Sequence, residues 1–415
     1  MDPHLPQVAC ETISFFTTKE CYLPGMDLSF TEEEEAFRAE VRAWLDANLP
    51  AEWRHRGVGG YREEEDEDIQ REWQRCLYEG GWLTLAWPKE RGGRGASPVM
   101  QAIYAEEVAL AGAPPILGRL GVSLLAPLLS VYGSEWQKET YLGKILSGEM
   151  VFCQGFSEPN AGSDLAGLQS RAALRDGRWV LNGQKIWSSG AHYADGSFLL
   201  ARTDPSAPPH KGIGMFLVNM KQTGVEVRPI VQMTGSGEFC EIFLTDAIVD
   251  DRDVVGSPTD GWRMAMATFG FERNGLANAS RFERAVDGLA ELARRQGAGG
   301  DDLVRQRVAQ AKIEAHVFRM SGLRSLTRDQ QGQVPGPEAS LNKLYWSEMD
   351  KRLQETAVSV EGMYGALAPE SPWVIAEGRW QYGWMWAQAE TIYAGSSEIQ
   401  RNIIAERVLG LPRGR

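Results

Sequence analysis

The sequence predicts an α+β protein in which a helical region is followed by a β region and then by a second helical region. Two observations point there. Apolar residues recur at helical spacing before residue 148 and again after 258, and between them the texture changes to short β-type runs broken by tight-turn dipeptides. The implied boundaries are 1–25 for a loose leading extension, then 26–148, 149–257 and 258–415.

Thr31 followed by Glu32, Glu33 and Glu34 has the form of a capping box, with acids at the positive end of a helix. Phe37, Val41, Trp44 and Leu45 then share one face, and Pro50 ends the run. Helical patterns follow at 69–78, 100–110 and 134–146, separated by punctuation such as Gly92-Gly93-Arg94-Gly95. In the middle region Asp176-Gly177 and Asn182-Gly183 both read as tight turns between strands, and runs at 198–201, 215–218, 225–230 and 242–244 extend the pattern. After Gly261-Trp262 helical periods run to 297, then over 302–328, 338–362 and 398–409, with loops expected at 296–301 and 329–337.

A chain of 415 residues with 43% hydrophobic content is long enough for two or three packed domains. Its formal net charge of −13, with no Lys/Arg cluster, argues against a nucleic-acid surface, which needs grouped cations. The five cysteines (Cys10, Cys21, Cys76, Cys153, Cys240) form no CxxC pair, so no metal site is expected and a reduced, cytoplasmic protein fits. No apolar stretch approaches the about 20 residues that span a bilayer, so no membrane segment is expected. Pro3, Pro6 and Pro24 interrupt the first 25 residues, which lack the pattern of a signal peptide and read as an extension ahead of Met26.

Three separated motifs bear on chemistry. Phe156-Ser157-Glu158-Pro159-Asn160-Ala161-Gly162-Ser163-Asp164 is a loop of small hydroxyl, glycine and proline residues whose backbone donors are open to a ligand; alone it says only that the loop is ordered. Asn182-Gly183-Gln184-Lys185-Ile186-Trp187-Ser188-Ser189-Gly190 places an aromatic ring beside two hydroxyls, as a flat heteroaromatic ligand requires, although a lone tryptophan is more often core. Near the C-terminus stands Ile392-Tyr393-Ala394-Gly395-Ser396-Ser397-Glu398-Ile399-Gln400-Arg401.

Together, in this order and spacing, the motifs resemble the acyl-CoA dehydrogenase family over nearly everything from Met26 onward. The resemblance implies an N-terminal helical domain, a middle β-barrel or sandwich domain and a C-terminal four-helix bundle, assembled as tetramers with FAD near a subunit interface. It further implies that Phe156 and Ser157 line the flavin ring, that Trp187 packs on it beside Ser188, and that Ser189 hydrogen-bonds N5. Ser163 would lie along the CoA arm, Ser396 and Glu398 would stand on the cofactor side of the C-terminal turn, and Tyr393 and Gly395 on the substrate side. The implied reaction removes the proton beside the thioester and transfers hydride from the next carbon to flavin, giving a trans-2-enoyl-CoA; an electron-transferring flavoprotein is the expected electron acceptor.

In such enzymes a backbone N–H of the C-terminal turn polarises the thioester carbonyl, and a backbone donor survives at residue 394 as alanine. The commoner pattern has a glutamate there, and Ala394 has no group to take a proton. Phe271-Glu272-Arg273-Asn274-Gly275 is similar to the alternative site of some members, which makes Glu272 the expected base and Arg273 a CoA-binding or orienting residue. Burial beside an acyl channel would raise the Glu272 carboxyl and strengthen it as a base. Glu398, four residues along a helix start, and Glu241, on a β run and better suited to a structural role, are the reserve candidates. The family's Arg-x-Thr-Phe-Gly segment, which reaches the FAD pyrophosphate of a neighbouring subunit, has its nearest counterpart in Arg294-Arg295-Gln296-Gly297, hence Arg295. Gly362 stands where the family often has a Gly-Gly turn near the adenine half.

Trp373, Trp380, Tyr382, Trp384 and Trp386 read mainly as packing between helices and subunits; any that line the acyl channel would suit a wide or branched acyl group. Three readings stay open: a working dehydrogenase as a homotetramer, a non-catalytic subunit completing the FAD site of a heterotetramer, and a flavin oxygenase or oxidase on the same scaffold. CoA and carrier-protein thioesters are not distinguished.

Overall fold

A computed structural model describes residues 30–54, 67–271, 276–333 and 336–413. The leading extension 1–25 with Cys10 and Cys21, and the pair Glu272-Arg273, lie outside the described residues.

The helical start is built as its caps dictate. In α1 (Glu32–Asn48) the Thr31 hydroxyl accepts from the Glu34 amide and the Glu34 carboxylate accepts from the Thr31 amide at 2.8 Å, while Phe37, Val41 and Leu45 turn inward. α2 (Glu67–Glu79), α3 (Pro98–Ala111), α4 (Ala126–Tyr132) and α5 (Glu135–Ser147) follow. Ser97 and Pro98 start α3 and the left-handed Gly112 ends it. Trp73 and Trp82 are fully buried at the centre, and the Arg38 guanidinium reaches Glu106 and Glu107, each at 2.7 Å, locking α1 onto α3. A short π turn at 121–125 feeds α4; neither was apparent in the sequence.

The middle region is one mixed sheet of β1 (Phe152–Gly155), β2 (Arg171–Arg175), β3 (Arg178–Ser189), β4 (Gly196–Arg202), β5 (Ile213–Asn219), β6 (Val225–Ile230), β7 (Phe239–Asp250) and β8 (Val254–Val255). Its order is β6-β7-β3-β2-β4-β5-β8, with β1 parallel to β4. Asp176-Gly177 makes the β2–β3 hairpin with φ of +50° and +75°, as expected of a two-residue turn. Asn182-Gly183 does not turn. It lies inside β3, where the register against β7 shifts between Leu181 and Gly183. The reason is tertiary: a Cβ at Gly183 would fall 2.3 Å from the Ser170 Oγ, and the Asn182 side chain is occupied by Asp246, donating to its carboxylate at 3.0 Å and accepting from its amide at 2.9 Å.

The C-terminal region comprises α6 (Gly261–Phe271), α7 (Leu276–Arg295), α8 (Asp302–Gln330), α9 (Ala339–Glu361), α10 (Arg379–Glu390) and α11 (Ser397–Ile403). α7 to α10 pack as a four-helix bundle around Phe282, Leu289, Phe318, Met349, Leu353 and Trp380. The two helical regions are joined: Arg284 of α7 donates to the Ala109 carbonyl in the last turn of α3, and Arg319 of α8 bridges Glu106 and Glu283. The β sheet packs against helices that precede and follow it in the chain, Leu128 of α4, Ile145 of α5 and Met264 of α6 sharing one core with Phe198 and Met215.

Candidate active site

The loop after β1 is held from beneath. Lys185 of β3 is fully buried, and its ammonium donates to the Phe156 carbonyl at 3.2 Å and to the Glu158 carboxylate at 2.8 Å. Glu158 also accepts from the amides of Gln169, at 2.6 Å, and Ser170, at 2.9 Å. Burial alone would raise the Glu158 carboxyl, but Lys185 and those donors outweigh it and hold it below the usual range. Burial draws the Lys185 ammonium down to about 8 against the pull of Glu158. Phe156 is buried and Ser157 half-buried, its carbonyl accepting from the Ile186 amide at 3.0 Å, so loop and strand are one rigid unit. Ser163 stands exposed at the far end of the loop.

Trp187 owes its position to a bulge. The β3–β7 register shifts again between Lys185 and Ser188, and Trp187 adopts φ +60°, unusual for a bulky residue. The bulge turns the indole outward, 56% exposed, at the end of the sheet. Ser188 turns inward instead: it is buried, and its Oγ has no hydrogen-bond partner among the described residues. Ser189 and Gly190 line a cleft with Gln70, Leu117, Arg119 and Tyr193, where the β region meets the first helices. Gly190, at φ +68°, lets the Tyr193 ring approach; a Cβ there would fall 2.4 Å from its hydroxyl.

The C-terminal motif forms a turn between α10 and α11. Ala394 and Gly395 both take positive φ, +51° and +88°, the first a strained choice for alanine. Their carbonyls each accept from Gln400 Nε2 at 3.2 Å, and the Ser396 hydroxyl caps α11 by accepting from the Ile399 amide. Ala394 and Glu398 are exposed; the Glu398 carboxylate is held low by its own amide and the Ser396 hydroxyl. Burial, then Glu390, pushes the Tyr393 phenol up.

A file of rings joins this turn to Trp187. Trp187 meets Phe239 of β7 edge-on at 6.3 Å, Phe239 stacks on Trp386 of α10 at 5.9 Å, and Trp386 lies 6.5 Å from Tyr393. The second and third motifs, some two hundred residues apart, are thus brought to one place. A flat outward ring, a hydroxyl in a cleft and a left-handed backbone turn at the exposed Ala394 suit an isoalloxazine and a carbonyl-bearing partner.

Other expected residues stand elsewhere. Arg295 is exposed in the last turn of α7 and paired with Glu291 at 2.8 Å. Gly362 ends α9 with φ +60°. Glu241 accepts from Gln184 at 2.7 Å, a link between β3 and β7. Glu272 and Arg273, between α6 and α7, are outside the described residues. Sequence reasoning missed Phe239, Arg119 and Tyr193, and it missed the charged cluster of Arg281, Asp350 and Glu390 beneath the turn. The signal for that cluster was present: Glu390 falls ten residues after Trp380 and three after Ala387 on the inward stripe of α10, a charge where an apolar residue belongs.

Comparison with known proteins bears on this geometry. Residues 31–149, 153–247 and 259–409 match the N-terminal, middle and C-terminal domains described as acyl-CoA dehydrogenase. The chain is 42% identical over 386 residues to acyl-CoA dehydrogenase IpdE1 of Mycobacterium tuberculosis, covering 92% of this chain and 99% of that protein. Among solved structures, the steroid ACAD Tcur3481-Tcur3483 is 33% identical with a TM-score of 0.82, covering 94% of this chain and 100% of that one. A chain of the ChsE4-ChsE5 complex from Mycobacterium tuberculosis is 30% identical with a TM-score of 0.80, over 94% of this chain and 100% of that one.

Proposed function

The chain belongs to the acyl-CoA dehydrogenase family and is an enzyme of that class, and on that premise we propose that it converts an acyl-CoA thioester to a trans-2-enoyl-CoA, with FAD as cofactor and Glu272 as base. The observation that supports the reading most is the file of rings that brings Trp187 to the Tyr393–Ala394 turn. Trp187 and Ser157 flank the ring of the cofactor and Ser189 donates to it, while the rigid Lys185–Glu158 support keeps that wall in place. Flavin bound there supplies the two-electron acceptor for the carbon β to the thioester.

The remaining work falls to the protein. The amide of residue 394, set by the left-handed turn, donates to the thioester oxygen and stabilises negative charge as the α-proton leaves. Glu272 takes that proton, Arg273 orients the CoA portion, and Tyr193 and Leu117 wall the cleft against water. A wide acyl group, such as a fused-ring acid, fits the aromatic surround and the steroid ACAD likeness. An electron-transferring flavoprotein carries the electrons onward.

Anaerobic bleaching of the flavin at visible wavelengths, measured against linear, branched, aromatic and steroid acyl-CoAs, tests this reading. Bleaching is expected with the bulky thioesters, and Glu272→Gln is expected to lower its rate by at least about a thousandfold, within the range assigned to loss of a general base, while acyl-CoA still binds. Unchanged bleaching in that variant rules out Glu272 as base.

A second reading has its own support. Arg295, the residue expected at the FAD pyrophosphate, is paired with Glu291 at 2.8 Å among the described residues. A related subunit would then complete the cofactor site, as the naming of two components in the ChsE4-ChsE5 complex illustrates. Co-expression decides: colourless protein that turns yellow only with a related partner favours the mixed assembly.

A further inference from the structure

A charged cluster lies under the Tyr393–Ala394 turn that none of the proposed chemistry uses. Glu390, the last residue of α10, is fully buried, and Asp350 of α9 is 1% exposed. Arg281 of α7, its side chain 46% exposed, reaches in to Asp350 Oδ2 at 3.0 Å and to Glu390 Oε1 at 3.2 Å. Asp350 Oδ1 accepts from Gln354 Nε2 at 2.9 Å. Glu390 Oε2 is buried with no hydrogen-bond partner among the described residues. The other nearby cation, Lys343, gives its ammonium to the Glu390 backbone carbonyl at 2.9 Å rather than to a carboxylate. Two buried carboxyl groups therefore face one half-exposed guanidinium.

Their closeness in a buried place opposes a second negative charge. Burial and then the adjoining Asp350 push the Glu390 carboxyl up to about 8, so at neutral pH it keeps its proton. The groups facing Glu390 are Arg281 from α7, Asp350 and Lys343 from α9, and the Tyr393 phenol, itself raised by burial and Glu390 and faced in turn by Arg119. Backbone geometry couples the cluster to the turn. The carbonyl of Ala389, one residue before Glu390, accepts from both the Ile392 amide at 2.8 Å and the Tyr393 amide at 3.0 Å, and the Ser397 amide closes the turn onto the Thr391 carbonyl at 2.9 Å.

We propose that Glu390, set with Asp350 against the one Arg281 guanidinium, holds the Tyr393–Ala394–Gly395 turn in place as long as it keeps its proton, which makes Glu390 a positioning residue for the amide donor at residue 394. The role of that donor rests on the dehydrogenase reading above; the coupling of the dyad to the turn does not. When the proton leaves to solvent, two adjacent carboxylates repel each other across a single guanidinium. The strain falls on the final residue of α10, from which the turn departs two residues later.

Hydrogen–deuterium exchange of the full-length protein tests the coupling, following the peptide that spans 391–396 from pH 6.5 to 9 after correction for intrinsic exchange. In the unmodified protein protection of that peptide is expected to fall about tenfold near pH 8. Glu390→Gln, a neutral match for the protonated acid, and Asp350→Asn, which removes one of the two charges, are each expected to keep protection constant across the range. If one variant does not fold, the other suffices. A constant profile in the unmodified protein, or the same fall in a folded variant, overturns the proposal. The alkaline limb of kcat/KM is expected to disappear with Glu390→Gln while KM stays within twofold. Because exchange needs no turnover, failure of Glu272 as base leaves the exchange result standing, and loss of the exchange result leaves the Glu272 test unaffected.

Discussion

Lys185 does more for the site than any residue that faces it. Its ammonium is fully enclosed and shared between the Phe156 carbonyl and Glu158, so removing it leaves a carboxylate 9% exposed with only two amide donors. Lys185→Met is therefore expected to cost roughly 3–5 kcal/mol, the usual penalty for an uncompensated buried charge. Adding Glu158→Gln to that variant is expected to recover part of the loss, and urea unfolding of the single and double variants measures both. Glu361, at the end of α9, is the opposite case: 2% exposed, with neither carboxyl oxygen hydrogen-bonded among the described residues. Burial, opposed by Arg379, pushes its carboxyl up to about 7. Between the ordinary carboxyl range and pH 7 the folded chain therefore binds a proton that the unfolded chain has released, and stability falls as pH rises through that window. Glu361→Gln is expected to be more stable than the unmodified protein at pH 8 by roughly 1 kcal/mol, with the difference vanishing near pH 4. Thermal unfolding at the two pH values reads this, and an equal difference at both would remove the titration from the explanation.

At the scale of elements, what was legible in the sequence depended on whether local or distant contacts decide. The α1 start was legible because its capping box is made within four residues. Asp176-Gly177 turns as a hairpin should, yet Asn182-Gly183 continues straight, because the second pair is pressed against Ser170 and bonded to Asp246 across β7. No short-range pattern separates two such dipeptides. α10 escaped notice because its aromatic residues point several ways and its start is preceded by left-handed Ala376, Glu377 and Gly378. The strand through 182–183 makes a sharp demand of its own. At Gly183 a Cβ would meet the Ser170 side chain at 2.3 Å and its Cα at 2.7 Å, so backbone as well as side chain must yield. Gly183→Ala is expected to cost roughly 1–3 kcal/mol, and to loosen the Trp187 bulge four residues on. Lower retention of flavin on dilution checks the second effect, and a stable variant with normal flavin content counts against the tight approach.

Across the whole molecule the three motifs were readable because each is continuous in sequence, whereas of the charged cluster the sequence offered only the out-of-place charge of Glu390. Arg281, Asp350 and Glu390 come from three helices and meet only when the bundle closes. What closes around the bundle is a further matter of surface. Large apolar side chains remain open on the described chain, among them Trp373 at 72% exposure, Ile392 at 68%, Leu409 at 66% and Leu411 at 53%. Single exposed apolar residues are ordinary, but Ile392 adjoins the Tyr393–Ala394 turn, and Leu409 and Leu411 end the chain segment that the turn begins, their amides bonded back to Ile404 and Ala405. A surface of that kind is expected to be covered in an assembly. Light scattering on purified protein is therefore expected to give about four times the 46.0 kDa of one chain, either as four copies or with a related subunit. The double variant Leu409→Asp with Leu411→Asp is expected to shift that mass downward and to weaken flavin retention in the same step, since the cofactor lies near the interface on this reading. A monomer in the unmodified protein, at concentrations where flavin is still bound, defeats the expectation; a smaller species that keeps its flavin separates the interface from the site.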